Sequence, residues 1–150
     1  MKVIAAGNPF YGDDGVGAAV LDAIRTAGVL PGAELVDIHT DALALLEHLE
    51  QGAVNVVVDA AHMGLEPGDV AAFGVDEVRM RIRKDHLSVH GFGLAEAFDI
   101  ARQLGKLPPR TLIVGVEPQR IEINQGLSPA VAAAVPRVIS IIKAEVQSDD

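Results

Sequence analysis

Cysteine and tryptophan are absent from the 150 residues, and the aromatic complement is one tyrosine and four phenylalanines. The missing thiols exclude a cysteine nucleophile, a thiolate metal site and any disulfide. Aromatics make up 3% of a chain that is 49% hydrophobic. The core therefore has to be assembled from Val, Ile, Leu and Ala, which suits a buried parallel sheet covered by helices. No stretch approaches the ~20 apolar residues of a membrane span. The first residues also lack the basic, apolar and cleavage-site sequence of a signal peptide. A cytoplasmic protein with no membrane partner is expected. Positive charge is scarce too: 12 Lys and Arg stand against 21 Asp and Glu, a formal net charge of −9. Nucleic-acid binding draws on clustered cations for counterion release, so no nucleic-acid partner is expected, whereas a basic peptide or a cation is easily accepted. The length fits one domain, residues 1–150, able to bury a core without staples.

The most distinctive stretch is Gly7-Asn8-Pro9-Phe10-Tyr11-Gly12-Asp13-Asp14-Gly15-Val16-Gly17. It lies between a short apolar run, Val3 to Ala6, and an amphipathic helix pattern. A strand, a glycine-rich turn and a helix start usually cradle phosphate, but the spacing matches neither the dinucleotide fingerprint nor the P-loop, and no Lys-Ser or Lys-Thr follows. Two aspartates occupy the place of the phosphate. They would repel an anion and could hold a metal or another positive group; the commoner role of Asp at a helix start is simply to cap it, and only partners elsewhere in the chain overturn that.

Apolar spacing predicts strands over Lys2 to Ala6, Glu34 to Ile38, Val54 to Val58, Val70 to Phe73 and Thr111 to Val116. It predicts helices over Asp13 to Ala27, Asp41 to Gln51 with Leu43, Leu46 and Leu49 inward, His90 to Leu104, and Ser128 to Val146, the last kinked or restarted at Pro136. The turn Leu65-Glu66-Pro67-Gly68-Asp69 is too short for a crossover, so the strand after it should be antiparallel to a neighbour. Asp76 to Val89 is ambiguous; if extended, Arg79, Arg81 and Arg83 would share one basic side. The alternation predicts a three-layer α/β/α sandwich with a mostly parallel five-stranded sheet, one strand antiparallel. Ligands of such sheets bind beyond the carboxyl ends of the strands.

Asp14 follows the first strand and Asp59 the apolar run Val56-Val57-Val58, so parallel pairing would carry both carboxylates to one edge of the sheet. His90, flanked by glycines at 91 and 93, begins a helix after the basic stretch. Taken singly, each has a bland reading as a cap or turn residue. Together, two carboxylates and an imidazole form an oxygen and nitrogen donor set for a borderline divalent metal such as nickel or zinc, with positions left open for water or substrate. Asp37, ending the second strand, should reach the same edge and orient a ligand or cap a turn. Asn8 could fix the loop through its side chain. His48, His62 and His86 are expected at the surface or behind the site.

These motifs resemble those of the nickel-dependent hydrogenase maturation endopeptidases. Gly7-Asn8 with Asp13-Asp14-Gly15-Val16-Gly17 is similar to that family's opening motif, Val58-Asp59-Ala60 to its second ligand motif, and Ser88-Val89-His90-Gly91-Phe92-Gly93-Leu94 to its histidine motif. Gly115-Val116-Glu117-Pro118 and Gly126-Leu127-Ser128-Pro129 resemble its last strand and final helix start. His39 departs from the pattern, standing where the family tends to have glycine, which alters the local loop and puts an extra candidate ligand near the crevice. The resemblance implies an endopeptidase that removes a C-terminal extension from the precursor of a nickel-containing hydrogenase large subunit after nickel insertion. It implies that Asp14, Asp59 and His90 are metal-binding and catalytic, and that the nickel is supplied by the precursor, with other divalent metals able to substitute. Besides that precursor no partner is expected, and the chain should be a monomer. A non-catalytic nickel-binding or chaperone module for hydrogenase assembly is the alternative, and a flavodoxin-like nucleotide domain is disfavoured by the aspartates. No Gly-x-Ser-x-Gly elbow or His-Glu-x-x-His motif is present, which leaves a metal-polarised carbonyl or a metal-bound water as the simplest hydrolytic route.

Overall fold

The computed structural model describes residues 1–85 and 92–148. Its strands are β1 (Lys2–Ala6), β2 (Glu34–His39), β3 (Asn55–His62), β4 (Val70–Gly74), β5 (Lys84–Asp85) and β6 (Thr111–Val116). Its helices are α1 (Val16–Ala27), α2 (Ala44–His48), α3 (Val78–Arg81), α4 (Leu94–Gln103) and α5 (Pro129–Ser148), with 3-10 turns at Gly12–Gly15 and Val75–Glu77. The main sheet runs β2-β1-β3-β6-β4. β2, β1, β3 and β6 are mutually parallel, and β4 lies antiparallel to β6. This is the mostly parallel five-stranded α/β sheet read from the sequence. β5 is a two-residue addition pairing with Ala61 and His62 at the end of β3.

Alternation along the strands sorts two cores. Val3 and Ala5 of β1, Val56, Val58 and Ala60 of β3, and Val114 and Val116 of β6 pack with Val16, Val20, Leu21 and Ile24 of α1 and Val131, Val138 and Ile142 of α5. Ile4, Val57, Ala61 and Ile113 face the other way, onto Leu45 of α2, Val78 of α3, and Leu94 and Phe98 of α4. Burying each such aliphatic side chain contributes about 1.5–3 kcal/mol. The interiors of β1, β3 and β6 hold no aromatic, so helices can approach closely. A Cβ at Gly17 would lie 3.0 Å from both the Ala5 Cβ and the Val58 carbonyl oxygen, and this contact seats the start of α1 on β1 and β3.

Several sequence expectations shift. The third strand runs four residues past Val58, so Asp59 lies within it rather than after it. β4 is antiparallel to a neighbour as expected, and that neighbour is β6. The two edges of β3 are taken by β1 and the largely buried β6, and the half-exposed β4 is left to the rim. The helix expected over Asp41 to Gln51 is only Ala44–His48; Leu45 is buried in it, Ala42 just before it is buried, Leu49 just after it packs against the same core as expected, and Leu43 is exposed. The stretch around Arg79 and Arg81 is a short helix, not extended, and presents no single basic side. The helix expected from His90 begins at Leu94 within the described residues, and His86 and His90 themselves lie outside them. α5 continues through Pro136 as one helix, without a restart.

Candidate active site

Parallel pairing brings the carboxyl ends of β1, β2, β3 and β6 to one edge, and the acidic residues collect there. Asp59 is fully buried near the end of β3, in register with Gly115 of β6. Strand alternation puts it on the same face as Val57 and Ala61. Asp14 is 4% exposed and sits in the 3-10 turn that leads from β1 into α1. That turn packs against β3, the strand of Asp59. The Asn8 N–H donates to Asp14 Oδ2 at 2.7 Å, and the Asn8 Oδ1 accepts from the Phe10 N–H at 2.9 Å. Asn8 thus fixes the loop as its sequence position promised, with both its backbone and its side chain engaged. Gly7 is required for the same approach. Its φ is +122°, and a Cβ there would stand 2.2 Å from the Asp14 carbonyl oxygen.

Asp13 does something the sequence did not disclose. Rather than capping α1, its fully buried carboxylate accepts from the Gln119 and Arg120 N–H groups at 2.8 and 3.0 Å, the Ser128 N–H at 2.6 Å and the Ser128 hydroxyl at 2.8 Å. It knots the loop after β1 to the loop after β6 and to the start of α5. Burial pushes this carboxyl up, but the backbone donors from Arg120, Ser128 and Gln119 and the Ser128 hydroxyl outweigh it and hold the pKa below the ordinary value. No cap was available to be seen at Asp13, because the residues it binds are more than a hundred positions away.

Asp37 accepts from the His39 N–H at 2.8 Å, which realises its turn-capping reading. His39 adopts φ +54°, a left-handed conformation in which glycine would be unstrained. Its carbonyl accepts from the Gly7 N–H at 2.7 Å, so the turn after β2 braces the loop that carries Asp14. Glu117, 5% exposed just after β6, was passed over in the sequence. Its Oε1 accepts from the Met63 and Leu65 N–H groups at 2.8 and 2.9 Å, and the half-exposed His62 Nδ1 stands 3.5 Å from its Oε2. The sequence carries a signal for it: an acidic residue follows a buried apolar run toward the ligand edge, as Asp59 follows Val56 to Val58. His48 is remote, its carbonyl accepting from the Lys2 ammonium at the opposite edge.

Two sequence-predicted site residues, Asp14 and Asp59, are thus brought to one edge as buried carboxylates. The third, His90, is outside the described residues. Among the described residues no cluster of three or more His, Cys, Asp or Glu forms a complete metal site. The two carboxylates are hard oxygen donors of the kind that a divalent cation accepts, and they fit part of a metal's donor set. The chain leading toward His90 leaves from Asp85, which pairs with Ala61, two residues beyond Asp59.

Comparison with known proteins places this architecture. The sequence model of one family, hydrogenase maturation protease, matches residues 20–145. The hydrogenase expression/formation protein HupD of Thiocapsa roseopersicina is 28% identical over 143 residues, covering 89% of this chain and 65% of that relative's length. A putative hydrogenase maturation protease of Methanocaldococcus jannaschii is 28% identical over 150 residues, 97% of this chain and 95% of the relative. Among solved structures, the hydrogenase maturating endopeptidase HybD from E. coli superposes with a TM-score of 0.83 at 24% identity, over 99% of this chain and 94% of that one. The [NiFe] hydrogenase maturation protease HybD from Thermococcus kodakarensis gives 0.70 at 24% identity, over 96% and 98%. These superpositions establish a shared fold.

Proposed function

Because the chain belongs to the hydrogenase maturation protease family, we propose that it is an endopeptidase removing the C-terminal extension of a nickel-containing hydrogenase large-subunit precursor once nickel has been inserted. In this reading the precursor-borne nickel is part of the substrate, and Asp14, Asp59 and His90 recognise it. The observation that carries the reading is the burial of Asp14 and Asp59 at the carboxyl edge of the sheet, on the parallel strands β1 and β3 or just after them. Charged side chains are costly to bury in a protein core and are retained where they hold a partner of opposite charge.

When bound, nickel would supply Lewis acidity to a carbonyl or a water. The chain's own contribution is positional. Asn8 holds one oxygen of Asp14, β3 fixes Asp59 in a rigid strand, and Asp13 and Glu117 lock the surrounding loops. No cysteine is available as a nucleophile. Incubation with a nickel-loaded large-subunit precursor should remove mass from its C-terminus, and Asp14→Ala, Asp59→Ala or His90→Ala should each abolish the loss. Tight precursor binding with no mass loss would support the non-catalytic nickel-binding alternative instead.

A further inference from the structure

Seven large apolar side chains are exposed among the described residues, and five of them lie in the segments that leave the carboxyl ends of the parallel strands. Phe10 and Tyr11 follow β1, Leu43 follows β2, Leu65 follows β3 and Ile123 follows β6, the four strands whose carboxyl ends coincide. Isolated exposed apolar residues are ordinary, but concentration around one site is the mark of an interaction surface. The use of aromatics sharpens the point. In a chain with five of them, Phe73 and Phe98 are buried, while Phe10, in the loop that leads to Asp14, is 68% exposed.

The loops bearing these side chains are also held rigidly. Tyr11 bridges Ile123, the Asn124 N–H donates to the Phe10 carbonyl at 2.8 Å, and the Gly12 N–H donates to the Gln125 carbonyl at 3.1 Å. Asp13 clamps this pair of loops from below, and Glu117 holds the Leu65 N–H at 2.9 Å. Side chains presented on a preorganised backbone lose little freedom on binding, and aromatic anchors dominate interface energetics.

We propose that this apolar rim is the docking surface for the precursor protein, gripping its polypeptide around the segment delivered to Asp14 and Asp59; the proposal rests on the endopeptidase reading. A second copy of the chain is a poor occupant, since docking through the rim would cover the edge that must admit substrate. An anionic bilayer is equally poor, because a chain of net charge −9 is repelled by it. The rim side chains themselves are uncharged, so the occupant is an apolar stretch that is neutral or basic in its flanks.

The test compares Phe10→Ser, Leu65→Ser and the double variant with Leu104→Ser, an exposed leucine at the far end of α4. The probe is a nickel-loaded large-subunit precursor, and the readouts are its dissociation constant, KM against kcat, nickel-ion affinity and melting temperature. Each rim variant should weaken precursor binding and raise KM by about tenfold or more. Nickel-ion affinity, kcat and melting temperature should stay as in the wild type, and Leu104→Ser should change nothing. Rim variants that bind and cleave like the wild type overturn the rim while leaving the endopeptidase reading intact. A wild-type protein that neither binds nor cleaves the precursor overturns both. A concentration-dependent dimer abolished by Phe10→Ser also overturns the proposal, assigning the rim to self-association.

Discussion

Two adjacent aspartates, chemically identical, are set to different tasks by their partners. Asp13 is satisfied by three backbone N–H groups and a hydroxyl, whereas Asp14 takes the Asn8 N–H at the ligand edge. Asparagine is an adequate helix cap, and on that view Asp13→Asn would cost about 1 kcal/mol or less. In the knot observed it has to fail, because the amide NH2 would confront a donor where Oδ1 now accepts from Ser128. Leaving buried donors unmet costs about 1–3 kcal/mol each, so Asp13→Asn should lose about 2–4 kcal/mol by urea denaturation; a loss under 1 kcal/mol would return Asp13 to a capping role. The sign with pH follows. The folded pKa lies below the unfolded value of 3.8, so the stabilisation is complete above that value and is lost as pH falls through the folded pKa. The wild type should therefore lose more stability between pH 5 and pH 2 than Asp13→Asn does. Gly7→Ala is the companion case. With φ at +122° and a Cβ 2.2 Å from the Asp14 carbonyl oxygen, neither partner can yield without moving Asp14. It should cost about 2–5 kcal/mol and weaken nickel binding, and near-native stability would mean that the loop is softer than its hydrogen bonds imply.

At the scale of elements, α5 carries a proline that the fold tolerates rather than uses. Pro136 is exposed in the interior of the helix, where it can donate no backbone bond. Interior proline costs about 3 kcal/mol relative to alanine in the worst case, and water can relieve part of that on an exposed face. Pro136→Ala should raise stability by about 1–3 kcal/mol, measured as a higher melting temperature with unchanged nickel affinity; a lower melting temperature would show that the proline bends α5 to fit the sheet. The elements themselves were legible wherever local periodicity agrees with tertiary packing. β1, β6 and α1 announce themselves because their apolar residues recur at the spacing that they bury. The short α2 did not, since the leucines around it fit several helical faces and the packing fully buries Leu45 while leaving Leu43 exposed. The site divided on similar lines. A carboxylate after an apolar run signals the ligand edge and pointed to Asp14 and Asp59. The Asp13 knot and the Glu117 brace to Met63 and Leu65 are contacts between distant segments, with no local trace beyond the acidic residue itself. Nor was the segment near Arg79 a free basic strip, because Arg79 pairs with Glu96 and Asp99, and Arg81 with Glu77.

For the molecule as a whole, ligand occupancy at one edge should be readable in global stability, because a cation bound only by the folded state stabilises it by mass action. The two described carboxylates come from segments far apart in the chain, Asp14 and Asp59, so unfolding disperses the donors and leaves little affinity in the unfolded state. With nickel ion alone at about 100 times its dissociation constant, the gain is about 2.7 kcal/mol, which for a chain of this size is a rise in melting temperature of about 5–10 °C. Asp14→Ala, Asp59→Ala and His90→Ala should each erase most of that rise. His39→Ala should not, since the role of that residue observed here is carried by its backbone carbonyl. Acid supplies an independent reading of the donor set. Protons compete with the metal for an imidazole, so the nickel-induced rise should shrink as pH falls through the range of a free histidine, ~6.5, well above the range in which carboxylates protonate. A rise that persists undiminished at pH 5.5, or that survives His90→Ala at pH 7.5, would remove His90 from the site and leave a carboxylate-only one, for which the precursor's nickel would be an unsuitable recognition element.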